Sequence, residues 1–126
     1  METQVATMST QEVANKLVQY CREGKFMEAI EELYADNVES TEPMVDGGKA
    51  VVGKEAVIGK NNDWYASVVE VHGTKISDPV VGGDHFSCAM DMDVTYKQHG
   101  RTQMSEICLY EVKDGKIAKD MFFYKV

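Results

Sequence analysis

From His85 to Lys97 the sequence alternates strictly. Phe86, Cys88, Met90, Met92, Val94 and Tyr96 fall on one side, and Ser87, Ala89, Asp91, Asp93 and Thr95 on the other. A period of two is the signature of a strand with one face in an apolar interior and one face in water. Gln98-His99-Gly100 follows as a hairpin loop, and Thr102 to Val112 reads as the next strand. Asp114-Gly115 is the strongest turn signal in the chain, because a type I′ turn needs positive φ at both central positions. Lys116 to Val126 is the final strand of the series. A sheet of this kind, apolar on one side only, must be covered by something else.

The first half of the chain supplies the cover. Ser9 and Glu12 have the spacing of a capping box, in which the hydroxyl and the carboxylate each take a free backbone N–H at a helix start. Val13, Leu17, Tyr20 and Cys21 then recur at helical spacing, and Gly24 suits the left-handed position that ends a helix. A second helix is expected from Lys25 to Tyr34, burying Phe26, Ile30, Leu33 and Tyr34. Ala35-Asp36-Asn37 reads as a turn and Val38 to Glu42 as a short strand closed by Pro43. A third helix is expected from Glu55 to Val69, with Val57, Ile58, Asn61, Trp64, Tyr65 and Val68 on one face. Gly59 in its middle weakens it by about 1 kcal/mol relative to Ala, unless close packing needs it. Val71 to Asp78 reads as a strand and Val80 to Asp84 as a bend. The order of elements predicts an α+β domain: three N-terminal helices packed on a curved antiparallel sheet around a central pocket. Residues 9–126 form that single domain, and the polar stretch 1–8 is expected to fray.

Composition narrows the function. Acidic residues outnumber basic ones 21 to 13, a formal charge of −8, and no basic run occurs. Nucleic acid is thereby disfavoured as a partner, since phosphate binding needs clustered Lys and Arg. No apolar run approaches the roughly 20 residues of a membrane span, and no signal segment is evident. Cys21, Cys88 and Cys108 lack metal-ligand spacing and fall in apolar stretches, so they read as small buried hydrophobes. Free thiols suit a reducing compartment, and the cytoplasm is the expected location. No Gly-rich phosphate loop or metal triad is present, so no cofactor is expected.

Several segments together resemble the SnoaL-like family of the nuclear transport factor 2-like superfamily. Glu23-Gly24-Lys25-Phe26 through Leu33-Tyr34-Ala35-Asp36 resembles the family's paired-helix opening, and Ser40-Thr41-Glu42-Pro43 its first strand. Gly53-Lys54-Glu55-Ala56 leading to Trp64-Tyr65 resembles its third helix. Met92 to Thr95, Gly100-Arg101, Glu106, Tyr110 to Val112, Asp114 to Ile117 and Phe122 to Tyr124 resemble its last strands. The resemblance covers Val13 to Tyr124 and implies a cone with a pocket between helices and concave sheet. The family's members include isomerases, cyclases, dehydratases and non-catalytic binding proteins, so it implies an architecture rather than one reaction.

Two carboxylates are the candidate catalytic groups. Glu42, before Pro43, resembles the position of the proton-shuttling acid of ketosteroid isomerases; the alternative is a rim carboxylate in water. Glu106 shares a face with Met104, Cys108 and Tyr110, where an isolated charge needs a partner or a proton. A three-residue loop at Gln98-His99-Gly100 would set it opposite Met92, and one register step would set it beside Asp91 or Asp93 instead; the alternative to a catalytic role is a structural carboxylate held by backbone or Arg101. The isomerase pattern is otherwise broken: its oxyanion donors fall at Leu17 and Cys108, and Tyr20 lies one turn from the first. The nearest set to an epoxide-hydrolase trio is Asp91, Asp93 and Arg101. His72, His85 and His99 have no common ligand spacing. Trp64, Tyr65, Tyr20, Tyr110 and Phe122, with Met90, Met92 and Cys108, are the candidate substrate-binding residues. Met44, Met104 and Met121 could extend that lining. The expected function is proton-transfer chemistry (isomerisation, cyclisation or dehydration) on a hydrophobic carbonyl compound. The alternative is a non-catalytic binding or dimerisation module for a hydrophobic small molecule. A homodimer through the outer face of the sheet is expected.

Overall fold

The computed structural model describes residues 7–125. Helix α1 spans Thr10–Arg22 and begins at the predicted capping box: the Ser9 hydroxyl accepts from the Glu12 amide, and Glu12 accepts from the Ser9 amide. Its apolar stripe, Val13, Ala14, Leu17, Val18 and Cys21, is buried. Helix α2 is Phe26–Leu33 and helix α3 is Lys54–Ser67. The strands are β1 (Tyr34–Thr41), β2 (Val51–Val52), β3 (Val68–Ile76), β4 (Val80–Gly82), β5 (His85–Tyr96), β6 (Gly100–Lys113) and β7 (Lys116–Tyr124).

The seven strands form one open, curved sheet in the order β2-β1-β7-β6-β5-β3, with β4 paired to β5. The expected all-antiparallel sheet is corrected at one place: β1 runs parallel to β7. Chain direction explains this, because α3 and the β3–β7 meander return the chain beside β1 rather than through a hairpin. Two boundaries also move. Tyr34 and Ala35-Asp36-Asn37, expected as helix end and turn, lie within β1, where Tyr34 pairs with Ile117 and is buried against the core. Pairing with β7 overrides the turn preference of Asp and Asn, and a register irregularity between Tyr34 and Glu39 absorbs the conflict. The bend at Val80 to Asp84 contains β4, paired with Ser87, Phe86 and His85.

The hairpins fall where the turn residues put them. Asp114 and Gly115 both have positive φ, 52° and 75°, as a type I′ turn requires. Phe86 and Tyr110, directly opposed on β5 and β6, stack with ring centroids 4.6 Å apart. The Arg22 guanidinium donates to the Ile76 carbonyl and pairs with Asp78, fastening the end of α1 to the end of β3. The predicted frayed segment lies mostly outside the described residues; of its last two, Met8 packs against the core. No described helix is long and apolar enough to cross a membrane.

Candidate active-site pocket

Helix α3 buries only Val57 completely. The rest of its inward face, including Lys60, Asn61 and Trp64, looks across a gap at the concave side of the sheet. The gap is a cavity of about 390 Å³, bounded also by the inner residues of α1, α2, β1, β5, β6 and β7. Its walls are mainly apolar and aromatic. Phe26 meets Trp64 edge to face at 6.1 Å, and the Trp64 indole donates to the Tyr96 hydroxyl at 3.2 Å.

Three carboxyl groups enter this cavity: Glu42, Glu106 and Asp120. Lys60 is the one basic residue among its described lining. The lysine is committed to Glu42, with Nζ 2.7 Å from Oε2, and the Tyr124 hydroxyl donates to Glu42 Oε1 at 2.8 Å. Burial pushes the Glu42 pKa up, but the Lys60 and Tyr124 contacts outweigh it and leave the group below its ordinary value.

Glu106 is different. It stands opposite Met90 on β5 and Tyr124 on β7, and no ion pair reaches it among the described residues. The Cys108 thiol, 3.6 Å from Oε1, is its hydrogen-bond donor, and a thiol is a weak one. Burial dominates, and the carboxyl is pushed up to about 7. The register differs from the expected one by two residues, Met90 in place of Met92, because the loop is Lys97-Gln98-His99 with Tyr96 opposite Gly100. A two-residue shift preserves the face.

Asp120 is almost fully buried. The Tyr34 hydroxyl donates to its Oδ2, whereas Oδ1 has no hydrogen bond of good geometry. Burial raises its pKa, partly offset by Ser40 and Tyr34. Burial likewise carries Tyr34 well above the usual phenol range, with the Asp120 charge adding to it. Asp120 was legible in principle: Phe122 and Tyr124 face inward, and Asp120 shares their side of β7.

Of the residues expected to bind substrate, Trp64, Met90, Met92, Tyr110 and Phe122 line the cavity, as does Met104. Cys108 lies fully buried beside Glu106. Tyr65 is 40% exposed, with its hydroxyl directed at the Gly24 carbonyl. Tyr20 packs on the core with its hydroxyl towards Glu32. Met44 is exposed, and Met121 points to the outer face beside the inward Asp120 and Phe122. Asp93 and Arg101 form a two-pronged ion pair at 2.8 and 3.0 Å outside the cavity. Cys21 is buried, and desolvation pushes its thiol up to about 12; Cys108 is also driven upward, by Cys88 and by burial. No group of three His, Cys, Asp or Glu side chains able to hold a metal ion occurs among the described residues.

Three helices over an open, curved, mixed sheet are the architecture of nuclear transport factor 2-like proteins. Within that class the chain belongs to the SnoaL-like family, whose domain profile it matches over residues 8–124. It is 36% identical to a crystal structure from Mesorhizobium loti provisionally called a SnoaL-like polyketide cyclase. That match covers 93% of this chain and all of the other, with a TM-score of 0.86. A nuclear transport factor 2-like protein of unknown function from Burkholderia pseudomallei superposes with a TM-score of 0.75 at 14% identity, covering 94% of this chain and 92% of that one. A protein from Kribbella flavida, provisionally called a ketosteroid isomerase, gives 0.68 at 14% identity, covering 93% and 78%. The last two likenesses speak to fold alone. No protein of curated function matches the chain.

Proposed function

We propose that this protein is a proton-transfer enzyme acting on a hydrophobic carbonyl compound, with Glu106 as the group that takes and returns the proton. One observation carries the reading: Glu106 sits in an apolar cavity without a cationic partner, and burial holds its pKa at about 7. A general base works best when its pKa lies near the operating pH. Glu42 suits the role less well. Its contacts with Lys60 and Tyr124 favour the ionised form, which makes it a weaker base.

In the proposed step the Glu106 carboxylate removes a proton from the carbon next to the carbonyl. The C–H electron pair moves into the carbonyl, giving an enolate. Return of the proton to a different carbon is isomerisation, attack of the enolate on a second carbonyl is cyclisation, and loss of a neighbouring hydroxyl is dehydration. Asp120, hydrogen-bonded to Tyr34 with its own pKa raised, is suited to supply a proton to the departing or newly formed oxygen. Trp64, Phe122 and the methionines would hold the apolar body of the substrate.

Solvent deuterium exchange at the α-carbon tests this without knowledge of the final product. Fused-ring and aromatic ketones are incubated in D2O with wild type and with Glu106→Gln, and followed by NMR. Enzyme-dependent exchange that falls by about 100-fold or more in the variant is expected. The second reading, a binding module without chemistry, draws on the resemblance to isomerases, which implies Leu17 and Cys108 at the positions of their donors. Saturable quenching of Trp64 by these ketones with no exchange above background would favour it.

A further inference from the structure

Asn61 Nδ2 is a buried side-chain donor with no hydrogen-bond partner among the described residues, and Asp120 Oδ1 is a buried acceptor with no hydrogen bond of good geometry. Both residues line the same cavity, one from helix α3 and the other from strand β7. An amide nitrogen buried without an acceptor costs free energy, typically about 1–3 kcal/mol, and cores rarely keep one without a use. Asn61 is also the wrong residue for its place if packing were its purpose. It lies one turn from both Val57 and Trp64 on the inner face of α3, where an aliphatic side chain would fill the same space at no polar cost.

We infer that the Asn61 amide, turned into the cavity as a ligand enters, is the donor that recognises the substrate's carbonyl oxygen, and so restricts the site to neutral ketone-type ligands. The inference rests on the proton-transfer reading above. An Nδ2–H group can only donate, so the ligand must present an acceptor. Electrostatics narrows the choice of acceptor. The cavity holds three carboxyl groups and one lysine, which is already paired with Glu42. With Glu106 ionised for its role as base, a carboxylate or phosphate ligand would meet net negative charge, whereas a ketone oxygen meets only the amide dipole. When Glu106 removes the α-proton, the electron pair moves onto that same oxygen. The Asn61 hydrogen bond then strengthens as charge develops, which is what an oxyanion donor does. The protein would thereby have an oxyanion donor on its third helix.

The test compares 1-indanone with indane, its counterpart lacking the oxygen, by NMR titration of the protein. The informative quantity is the ratio of the two dissociation constants, because a mere change of cavity shape moves both. Wild type is expected to prefer the ketone, and Asn61→Leu to lower the ratio of the indane constant to the 1-indanone constant about fivefold. Asn61→Leu should melt no lower than wild type, since it removes an unsatisfied buried donor; a purely structural asparagine would give a loss of stability instead. Asn61→Asp provides a near-isosteric second variant that, when ionised, accepts but cannot donate, and it should lower the ratio as well. A ratio unchanged in both variants overturns the assignment of Asn61 and leaves the pocket reading intact. Failure of wild type to bind either probe overturns the pocket reading, and this inference with it.

Discussion

The Tyr124 hydroxyl donates to Glu42 at 2.8 Å, although Tyr124 stands opposite Glu106 in the β6–β7 ladder. The tyrosine beside Glu106 in the ladder thus donates to the carboxyl that Lys60 already holds. This asymmetry separates the two glutamates: Glu42 is kept ionised, and Glu106 is left to the desolvation of the cavity.

Glu106 should impose a pH dependence on stability. Its folded pKa lies above the unfolded value, so the folded form keeps the proton to higher pH. The stability contributed by this group therefore falls as pH rises from the ordinary carboxyl range to about 7, and is level beyond. Glu106→Gln removes the fall. In urea unfolding the variant should exceed wild type above pH 7 by up to roughly 3 kcal/mol, and the two should converge near pH 4.

Lys60→Met should raise the pKa of Glu42, leaving Tyr124 as its remaining described donor, and should also raise that of Glu106, which Lys60 holds down from a distance. The side chains of the Lys60–Glu42 pair are 36% and 29% exposed, so the stability cost should stay below about 1 kcal/mol. Carboxyl carbon NMR titration reads both pKa values. A fall in either would contradict the electrostatic account of the pocket.

Tyr34→Phe should destabilise more than Asp120→Asn. The first leaves a buried carboxyl without its donor at Oδ2, which costs about 1–3 kcal/mol. The second keeps an oxygen to accept from Tyr34 and removes a buried charge. Thermal unfolding at pH 8, where the carboxyl is most ionised, should show the difference most clearly.

Gly59→Ala should stabilise by about 0.5–1 kcal/mol. Gly59 lies within α3, and a Cβ added there meets nothing within 4 Å. No close approach calls for glycine at this position. A drop in melting temperature would mean that the helix packs more tightly around residue 59 than it does in this structure.

Much of the fold was legible because its causes are local. The alternation from Phe86 to Tyr96 fixes which side chains face inward, and positive φ at Asp114 and Gly115 fixes the last hairpin. The Ser9–Glu12 box starts α1 where sequence spacing places it. Inward orientation of Glu106 survived a two-residue error in register, because facing depends on parity alone.

What the sequence could not supply depends on residues far apart in the chain. Tyr34 and Asp120 meet because β1 pairs parallel with β7, a pairing that no hairpin signal announces. Lys60 and Tyr124 converge on Glu42 from a helix and the last strand, and that convergence separates one glutamate's chemistry from the other's. The sequence by itself determined the elements, their inward faces and the family. The tertiary structure alone decided which carboxyl is paired and which is only desolvated, because pKa responds to the charges and solvent around a group and not to its neighbours in sequence.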